Sequence, residues 1–296
     1  MQVIRAEAMG FCFGVRDAIE VAKSVERPDR VTIHGELVHN AGVLAGLKAR
    51  GFQMTAEDDR QGPPATPLVL ITAHGVSQRT RERLAAAGSR LIDTTCPLVV
   101  RVHRAAQTLA GEGRHVLVIG RPGHVEVRGI VEDLDSFDVV SSPDEVRQYP
   151  HAKLGVVCQS TTPPRVAEAV LAAIRRENPT ADVRFVDTVC QPTRDRQEAV
   201  ERLADQVEAM VVVGGNNSNN TRELVALCRE RGLATWHVQS AAELDPAWFR
   251  GRHVVGLTAG TSTPPAPIDD VYAALVGMKD EGWQEAGEEG KRGLGK

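Results

Sequence analysis

Two phrases in this chain run to a cysteine in the same way: Asp93-Thr94-Thr95-Cys96 and Asp187-Thr188-Val189-Cys190. A third cysteine, Cys12, stands in "GFCFGV", and all three precede a stretch with helical periodicity: "GVRDAIEVAKSV", "PLVVRVHRAAQTLAG" and "RDRQEAV". Helix N-termini carry unpaired N–H groups and a positive partial charge. Both favour thiolate, the form of cysteine that binds metal. Three thiolates meeting at one point imply a metal centre. Three without a fourth suit an iron–sulfur cluster with one iron left open for a substrate, since clusters ordinarily take four cysteines and an open position marks a catalytic metal. Zinc held by three cysteines and a histidine is the competing assignment. The remaining two of the five cysteines, Cys158 in "GVVCQS" and Cys228 in "TRELVALCRE", sit in apolar patterns and read as small core residues. No CxxC pair is present, which argues against a zinc ribbon. The odd count and wide spacing argue against a secreted disulfide framework.

A second set of residues suits an anion. Strand-like segments end in loops of His, Ser, Thr, Asn and Gly: His39–Asn40, "AHG" at 73–75, "GRPGHVE" at 120–126, "QSTT" at 159–162, "NNSNN" at 216–220 and "TAGTST" at 258–263. Hydroxyls, amides, imidazoles and glycine-exposed backbone N–H groups suit phosphate oxygens. Arg121 is the only basic side chain in these loops, so the expected ligand is a small polyanion held by neutral donors, with histidines protonated beside it. Glu126 is the one carboxylate among them. His34, His103, His115, His151, His237 and His253 lack such loop context and are assigned structural roles.

The elements that must position these residues alternate between short β-rich runs and amphipathic helices, which indicates parallel α/β architecture. "VTIHG", "PLVLITAHG" and "RLIDTTC" form one group of strands; "HVLVIG", "LGVVCQS" and "RFVDTVC" a second; "AMVVVGG", "ATWHV" and "HVVGLTAG" a third. The third group has no strand leading to a cysteine. "VIRAEAMGFC" at the N-terminus supplies one, read as a strand ending at Cys12. The expected fold is therefore three similar α/β lobes in a pseudo-three-fold arrangement around a central iron–sulfur site. Lobe 1 covers 13–96, lobe 2 covers 97–190, and lobe 3 covers 191–278 plus the N-terminal strand 1–12; 279–296 is a polar, glycine-rich tail expected to be disordered. Each lobe is then about 90 residues, a common domain size. In parallel sheets, ligands bind beyond the carboxyl ends of the strands, where both residue sets fall.

Composition limits the partners. The 296 residues carry a formal net charge of −4, which argues against a nucleic-acid grip. No apolar run reaches the ~18 residues of a membrane span, and the first residues lack a signal peptide's apolar core. A cytoplasmic protein with reduced thiols is expected.

The motifs "GFCFGVRDAI", "HN" at 39–40, "TAHGVS", "DTTCPLVVRVH", "GHVEVRG", "QSTT", "DTVCQPTRDRQEAV", "GGNNSNNTREL" and "GLTAGTSTP" together resemble the 4-hydroxy-3-methylbut-2-enyl diphosphate reductases, the LytB/IspH family of the non-mevalonate isoprenoid pathway. The resemblance runs in order from Gln2 to about Val276. It implies a 4Fe–4S cluster with three cysteine ligands and one open iron, and reductive dehydroxylation of an allylic diphosphate to isopentenyl and dimethylallyl diphosphates. It implies that Cys12, Cys96 and Cys190 are the cluster ligands. It also implies that His39, His74 and His124 contact the diphosphate, that Glu126 beside His124 delivers a proton, and that Ser160 and Thr161 contact the substrate. Ser218, Asn219, Asn220 and Ser262 fall at diphosphate-binding positions, and a ferredoxin or flavodoxin is the electron donor the family uses. Four positions depart from the family pattern: Ser160 replaces Thr, Asn219 replaces Ser, Val125 replaces Pro and Thr261 replaces Ala. Another three-lobed iron–sulfur enzyme, such as a quinolinate synthase-like dehydratase, and a non-catalytic zinc-binding protein are the alternatives.

Overall fold

The structure, a computed structural model, describes residues 1–278 apart from positions 58, 61 and 63. The tail at 279–296 lies outside the described residues. Among the described residues, twelve strands form three four-stranded parallel sheets, accompanied by nine α-helices. The first comprises β2 (Val31–Ile33), β3 (Gln53–Met54), β4 (Leu68–Ile71) and β5 (Arg90–Asp93), in the order β3-β2-β4-β5. The second comprises β6 (His115–Ile119), β7 (Phe137–Val140), β8 (Lys153–Cys158) and β9 (Asp182–Phe185), in the order β7-β6-β8-β9. The third takes β10 (Ala209–Val213), β11 (Ala234–Val238) and β12 (Val254–Ala259), with β1 (Gln2–Arg5) beside β12, in the order β1-β12-β10-β11. The three orders are the same: the lobe's second strand, its first, its third, then a fourth. In the third sheet the N-terminal strand takes that fourth place, pairing Gln2 with Val254 through Arg5 with Leu257.

Central strands are mostly apolar because both faces are covered. Val69, Leu70 and Ile71 of β4, all of β6 and all of β10 are buried. Two strands escaped the sequence pattern. Neither the two-residue β3 nor β7, "FDVV", shows enough alternation to be read, yet each occupies an edge of its sheet. The N-terminal strand is also shorter than its sequence suggests: it stops at Arg5, and an irregular segment carries the chain on to Cys12.

The helix after each fourth strand packs onto the next sheet. Ala18, Ile19 and Ala22 of α1 (Phe13–Ser24) join Val31, Ile33 and Leu70. Val102, Ala106 and Leu109 of α4 (Pro97–Gly111) join Val116 and Val118. Ala199, Val200 and Leu203 of α7 (Gln191–Ala204) join Met210 and Val212. Cys12, Cys96 and Cys190 therefore stand where the chain passes from one lobe to the next.

Candidate active site

Each of the three cysteines is the N-cap residue of its helix, α1, α4 or α7, and none spends its side chain on a capping hydrogen bond. Ser, Thr, Asn or Asp would ordinarily hold that place for its capping oxygen, so the sulfurs are left for another task. Their backbones are fixed in one repeated way. The N–H of Cys12 donates to Thr261 O (3.1 Å), that of Cys96 to Ala73 O (3.0 Å) and that of Cys190 to Ser160 O (2.9 Å). The acceptors immediately precede Ser262, His74 and Thr161, so each bond ties a cysteine to a loop singled out for anion contact.

The repeated Asp-Thr explains how the segments reach this point. Thr94 Oγ1 donates to Ile71 O (2.5 Å), and Thr188 Oγ1 donates to Cys158 O (2.6 Å) while accepting the Cys158 N–H (2.8 Å). Asp93 Oδ1 accepts the Thr95 N–H (3.0 Å) and Asp187 Oδ1 the Val189 N–H (3.1 Å). Both aspartates also pair with arginines, Arg81 (2.7 Å) and Arg194 (2.6 Å). The phrase is a hook that turns the chain off its strand and into the helix.

All three cysteines line one cavity of about 80 Å³ together with His74, Glu126, Ser160, Thr161 and Thr261. Cys190 is buried, while Cys12 and Cys96 are partly exposed. A Cβ on Gly14 would collide with Cys96 Sγ, so only glycine there lets α1 approach the second cysteine. The expectation of preformed thiolates needs correction. Burial pushes the Cys96 thiol up despite backbone N–H groups of Leu98 and Val99 directed at it. It likewise pushes Cys190 up to about 11, against the opposing hydrogen bond from Thr193. Desolvation exceeds the helix-end field, because losing hydration costs a thiolate more than two partial charges return. A metal cation reverses that balance, since a coordinated thiol is deprotonated outright.

Arg196 was not singled out by sequence reasoning. Its guanidinium is buried, donates to Gly10 O (2.6 Å) and Pro192 O (2.9 Å), and lies close enough to Cys12 and Cys190 to feel their charge. Its place one and a half turns into the helix after Cys190 is the only sequence signal it carried.

The anion set gathers beside the cysteines. His39 stacks on His74 at 4.2 Å, and His124 meets both edge-on at 5.3 and 6.0 Å. His39 Nδ1 is 2.8 Å from Glu36 Oε2, while His39 Nε2 and His74 Nδ1 are buried without partners. The structure corrects the expected protonation. Burial, then the neighbouring His39, holds His74 well below its ordinary value, and burial brings His124 down to about 3. Without an anion the His74 and His124 imidazoles are neutral.

Glu126 shows the converse. It is 2% exposed, at the second residue of α5 (Val125–Val131), whose N-cap His124 accepts the Glu126 N–H (3.2 Å). Its carboxylate oxygens face Ser160: Oε1 accepts the Ser160 N–H (2.6 Å) and Oε2 lies 2.9 Å from Ser160 Oγ. Burial outweighs both bonds and pushes the carboxyl up to about 7. Ser160 thus supplies the hydroxyl contact expected of a Thr.

The third lobe closes the ring. Ser262 Oγ donates to His39 O (3.1 Å), Asn220 Oδ1 accepts the Thr261 N–H (3.0 Å), and Asn219 Nδ2 donates to Thr161 Oγ1 (3.2 Å). Asn219, doubtful from its sequence departure, therefore bridges two lobes. Ser218 caps α8 (Asn219–Glu230) by accepting the Thr221 N–H (3.3 Å). Asn220 Nδ2 is a further buried donor without a partner. A Cβ on Gly215 would stand 2.6 Å from His39 O, so the close approach of first and third lobes needs glycine there. Among the described residues, no three His, Cys, Asp or Glu side chains form a group that would hold a single metal ion. Among them, too, no helix is long and apolar enough to cross a membrane.

Comparison with known proteins follows these features closely. The sequence pattern of the LytB protein family matches residues 3–276. A 4-hydroxy-3-methylbut-2-enyl diphosphate reductase of Anaeromyxobacter sp. (strain Fw109-5) is 36% identical over 95% of this chain and 99% of its own length. Its counterpart in Aquifex aeolicus is 35% identical over 93% of this chain and 96% of its own. The solved E-1-hydroxy-2-methyl-but-2-enyl-4-diphosphate reductase of Plasmodium falciparum superposes with a TM-score of 0.83 at 26% identity, covering 93% of this chain and 88% of that one. With three like-ordered sheets, cysteines at the lobe crossings and a family match over residues 3–276, the chain belongs to the LytB family.

Proposed function

We propose that this protein converts (E)-4-hydroxy-3-methylbut-2-enyl diphosphate to isopentenyl and dimethylallyl diphosphates by reductive dehydroxylation. The reaction takes two electrons and two protons; the hydroxyl leaves as water, and the second proton ends on carbon. The relatives named above are called reductases of this compound. The single observation that carries the reading is a buried carboxyl, Glu126, pushed up to about 7, in the same cavity as three cysteine sulfurs.

The three sulfurs fit a 4Fe–4S cluster. The cysteine side chains make no capping hydrogen bond, and burial holds Cys96 and Cys190 as thiols until a cation's charge draws off their protons. Cys12, Cys96 and Cys190 would hold it; when bound, it supplies electrons and a Lewis-acidic iron for the substrate's hydroxyl. The other steps fall to side chains. Hydroxide is a poor leaving group, so the departing oxygen needs a proton, and Glu126, pushed up to about 7, carries one in about half of the molecules at neutral pH. Ser160, bonded to Glu126 through both its N–H and its hydroxyl, fixes the carboxyl's rotamer and can relay the proton.

The diphosphate end would lie among His39, His74, His124, Asn220 and Ser262. His39 Nε2, His74 Nδ1 and Asn220 Nδ2 are buried and unpartnered, the condition of a site built for a ligand that brings acceptors. A diphosphate also restores the proton affinity that burial takes from His74 and His124. Holding this unreactive end fixes the reacting end. Asn219 and Thr161 lock the second and third lobes together across the site. We assign the lobes to 13–96, 97–190 and 191–278 with 1–12, place the enzyme in the cytoplasm, and take a ferredoxin or flavodoxin as electron donor.

The test is anaerobic reconstitution with iron and sulfide, then turnover of the allylic diphosphate with a chemical reductant. Iron and sulfide near four each per chain and reductant-dependent formation of both products support the reading. Zinc in place of iron, or turnover without reductant, would sink it in favour of a binding protein or a dehydratase.

A further inference from the structure

Six residues after its cysteine, each of the three helices at the lobe crossings buries a side chain. In α1 it is Ala18, in α4 Val102 and in α7 Arg196. Two lobes fill this place with an apolar residue, and the third fills it with a cation. Among the described residues, Arg196 is the one arginine or lysine that is buried. Removing a charge from water is costly unless an opposite charge meets it. None of the described carboxylates does so: Arg194 and Arg202 form the ion pairs of α7, with Asp187, Glu7 and Glu198. Arg196 donates only to neutral carbonyls, from Nη2 to Gly10 O (2.6 Å) and from Nη1 to Pro192 O (2.9 Å), and its Nε is buried without a partner.

Those carbonyls belong to the segments that carry two of the three cysteines. Gly10 is two residues before Cys12, and Pro192 is two residues after Cys190. Gly10 is held from its other side by its own N–H, which donates to Ala259 O (3.1 Å). With φ at +71° and Ile268 Cδ1 2.8 Å from where a Cβ would stand, only glycine takes this turn. Arg196 thereby ties the irregular segment before α1 to the first turn of α7. Cys12 and Cys190 are the first groups whose charge acts on the guanidinium, ahead of Asp195, whose Oδ1 accepts from Gln191 Nε2 (2.8 Å). The counter-charge that Arg196 lacks is that of the sulfurs themselves, once a metal has drawn off their protons.

We infer that Arg196 is a positioning residue for the iron–sulfur cluster of the proposed reductase, on which reading the inference rests: it holds the Cys12 segment against the Cys190 helix and adds a fixed positive charge beside the anionic centre those cysteines bind. Three thiolates outweigh the positive charge of an oxidised cluster core, and each electron taken up adds a negative charge. A desolvated cation nearby therefore favours the reduced form and raises the potential at which an electron is accepted. Burial keeps that interaction from being screened by salt. An arginine also keeps its proton in such a place, so the charge is constant over the working pH range.

The experiment is a reductive titration of the reconstituted full chain, read from the paramagnetic resonance of the reduced cluster, with iron and sulfide measured in each sample. Wild type is compared with Arg196→Gln, Arg196→Lys and Arg202→Gln. Arg196→Gln keeps hydrogen-bond donors and loses the charge. Its ratio of reduced to oxidised cluster at a fixed applied potential should fall at least tenfold, a shift of about 59 mV to more negative potential for one electron. Arg196→Lys should load iron and recover most of that shift. Arg202→Gln removes an exposed charge from the same helix and should leave the potential at the wild-type value. Loss of iron in Arg196→Gln with full loading of Arg196→Lys also supports a role for the charge. A wild-type potential in Arg196→Gln, an equal shift in Arg196→Lys, or loss of iron in both overturns the inference and leaves a structural clamp. A wild type that holds zinc or no cluster overturns the reductase reading as well, whereas a loaded wild type with an unmoved Arg196→Gln removes this inference alone.

Discussion

The sharpest consequence of the site concerns Glu126→Gln. Burial raises the carboxyl from an ordinary 4.5 to about 7, a gap of about two and a half pH units, or about 3 kcal/mol between its two protonation states. The sign follows from proton counting. Between pH 4.5 and 7 the folded protein keeps a proton that the unfolded chain has released. The stability Glu126 contributes is therefore full below pH 4.5 and declines as pH rises through 7. Glutamine has the same shape and keeps an oxygen for the Ser160 N–H, but it does not titrate. Urea unfolding of the full chain under reducing conditions should show wild type losing about 3 kcal/mol relative to Glu126→Gln between pH 4.5 and 7.5. Subtraction removes the opposing contribution of His74 and His124, whose depressed values make stability rise with pH over the lower part of the same range. Turnover of the reconstituted variant should fall about 10²–10⁴-fold, the usual worth of a positioned acid, with substrate binding kept. A flat difference across that pH range would mean that the carboxyl is ionised in the fold. Turnover within a few fold of wild type would remove Glu126 from proton delivery.

Three other outcomes can be checked directly. Gly14→Ala should leave the thermal midpoint within a few degrees, because alanine favours a helix by about 1 kcal/mol. Iron content after reconstitution should nevertheless fall sharply, because the new methyl displaces Cys96 Sγ; full iron loading would contradict this. Thr188→Val strands both the N–H and the carbonyl of Cys158, so chemical denaturation should show a loss of about 1–3 kcal/mol, and no loss would count against the hook. Any single Cys→Ser change at Cys12, Cys96 or Cys190 should remove most of the iron–sulfur absorbance, whereas Cys158→Ser and Cys228→Ser should keep it.

Much of this protein was legible in its residues because parallel sheets impose a local pattern. Strands buried on both faces must be apolar throughout, so "HVLVIG" and "AMVVVGG" announce themselves without any partner strand. A repeated Asp-Thr-x-Cys must do the same local work twice, so Cys96 and Cys190 could be equated before their separation in space was known. The place of Cys12 also followed, because a third lobe lacking its fourth strand has only the N-terminus to draw on. What the chain's order alone could not decide were quantities set by neighbours distant in sequence. The edge strands β3 and β7 exist only through pairing with β2 and β6. The protonation of Cys190, Glu126, His74 and His124 depends on how completely three lobes exclude water, and desolvation there exceeds the helix-end and hydrogen-bond effects that a local motif reveals. Arg196 had no role assigned from the sequence, and only packing encloses it. Residue types and spacing thus determined which atoms could do the chemistry; burial, a property of the assembled lobes, decided the charge they carry.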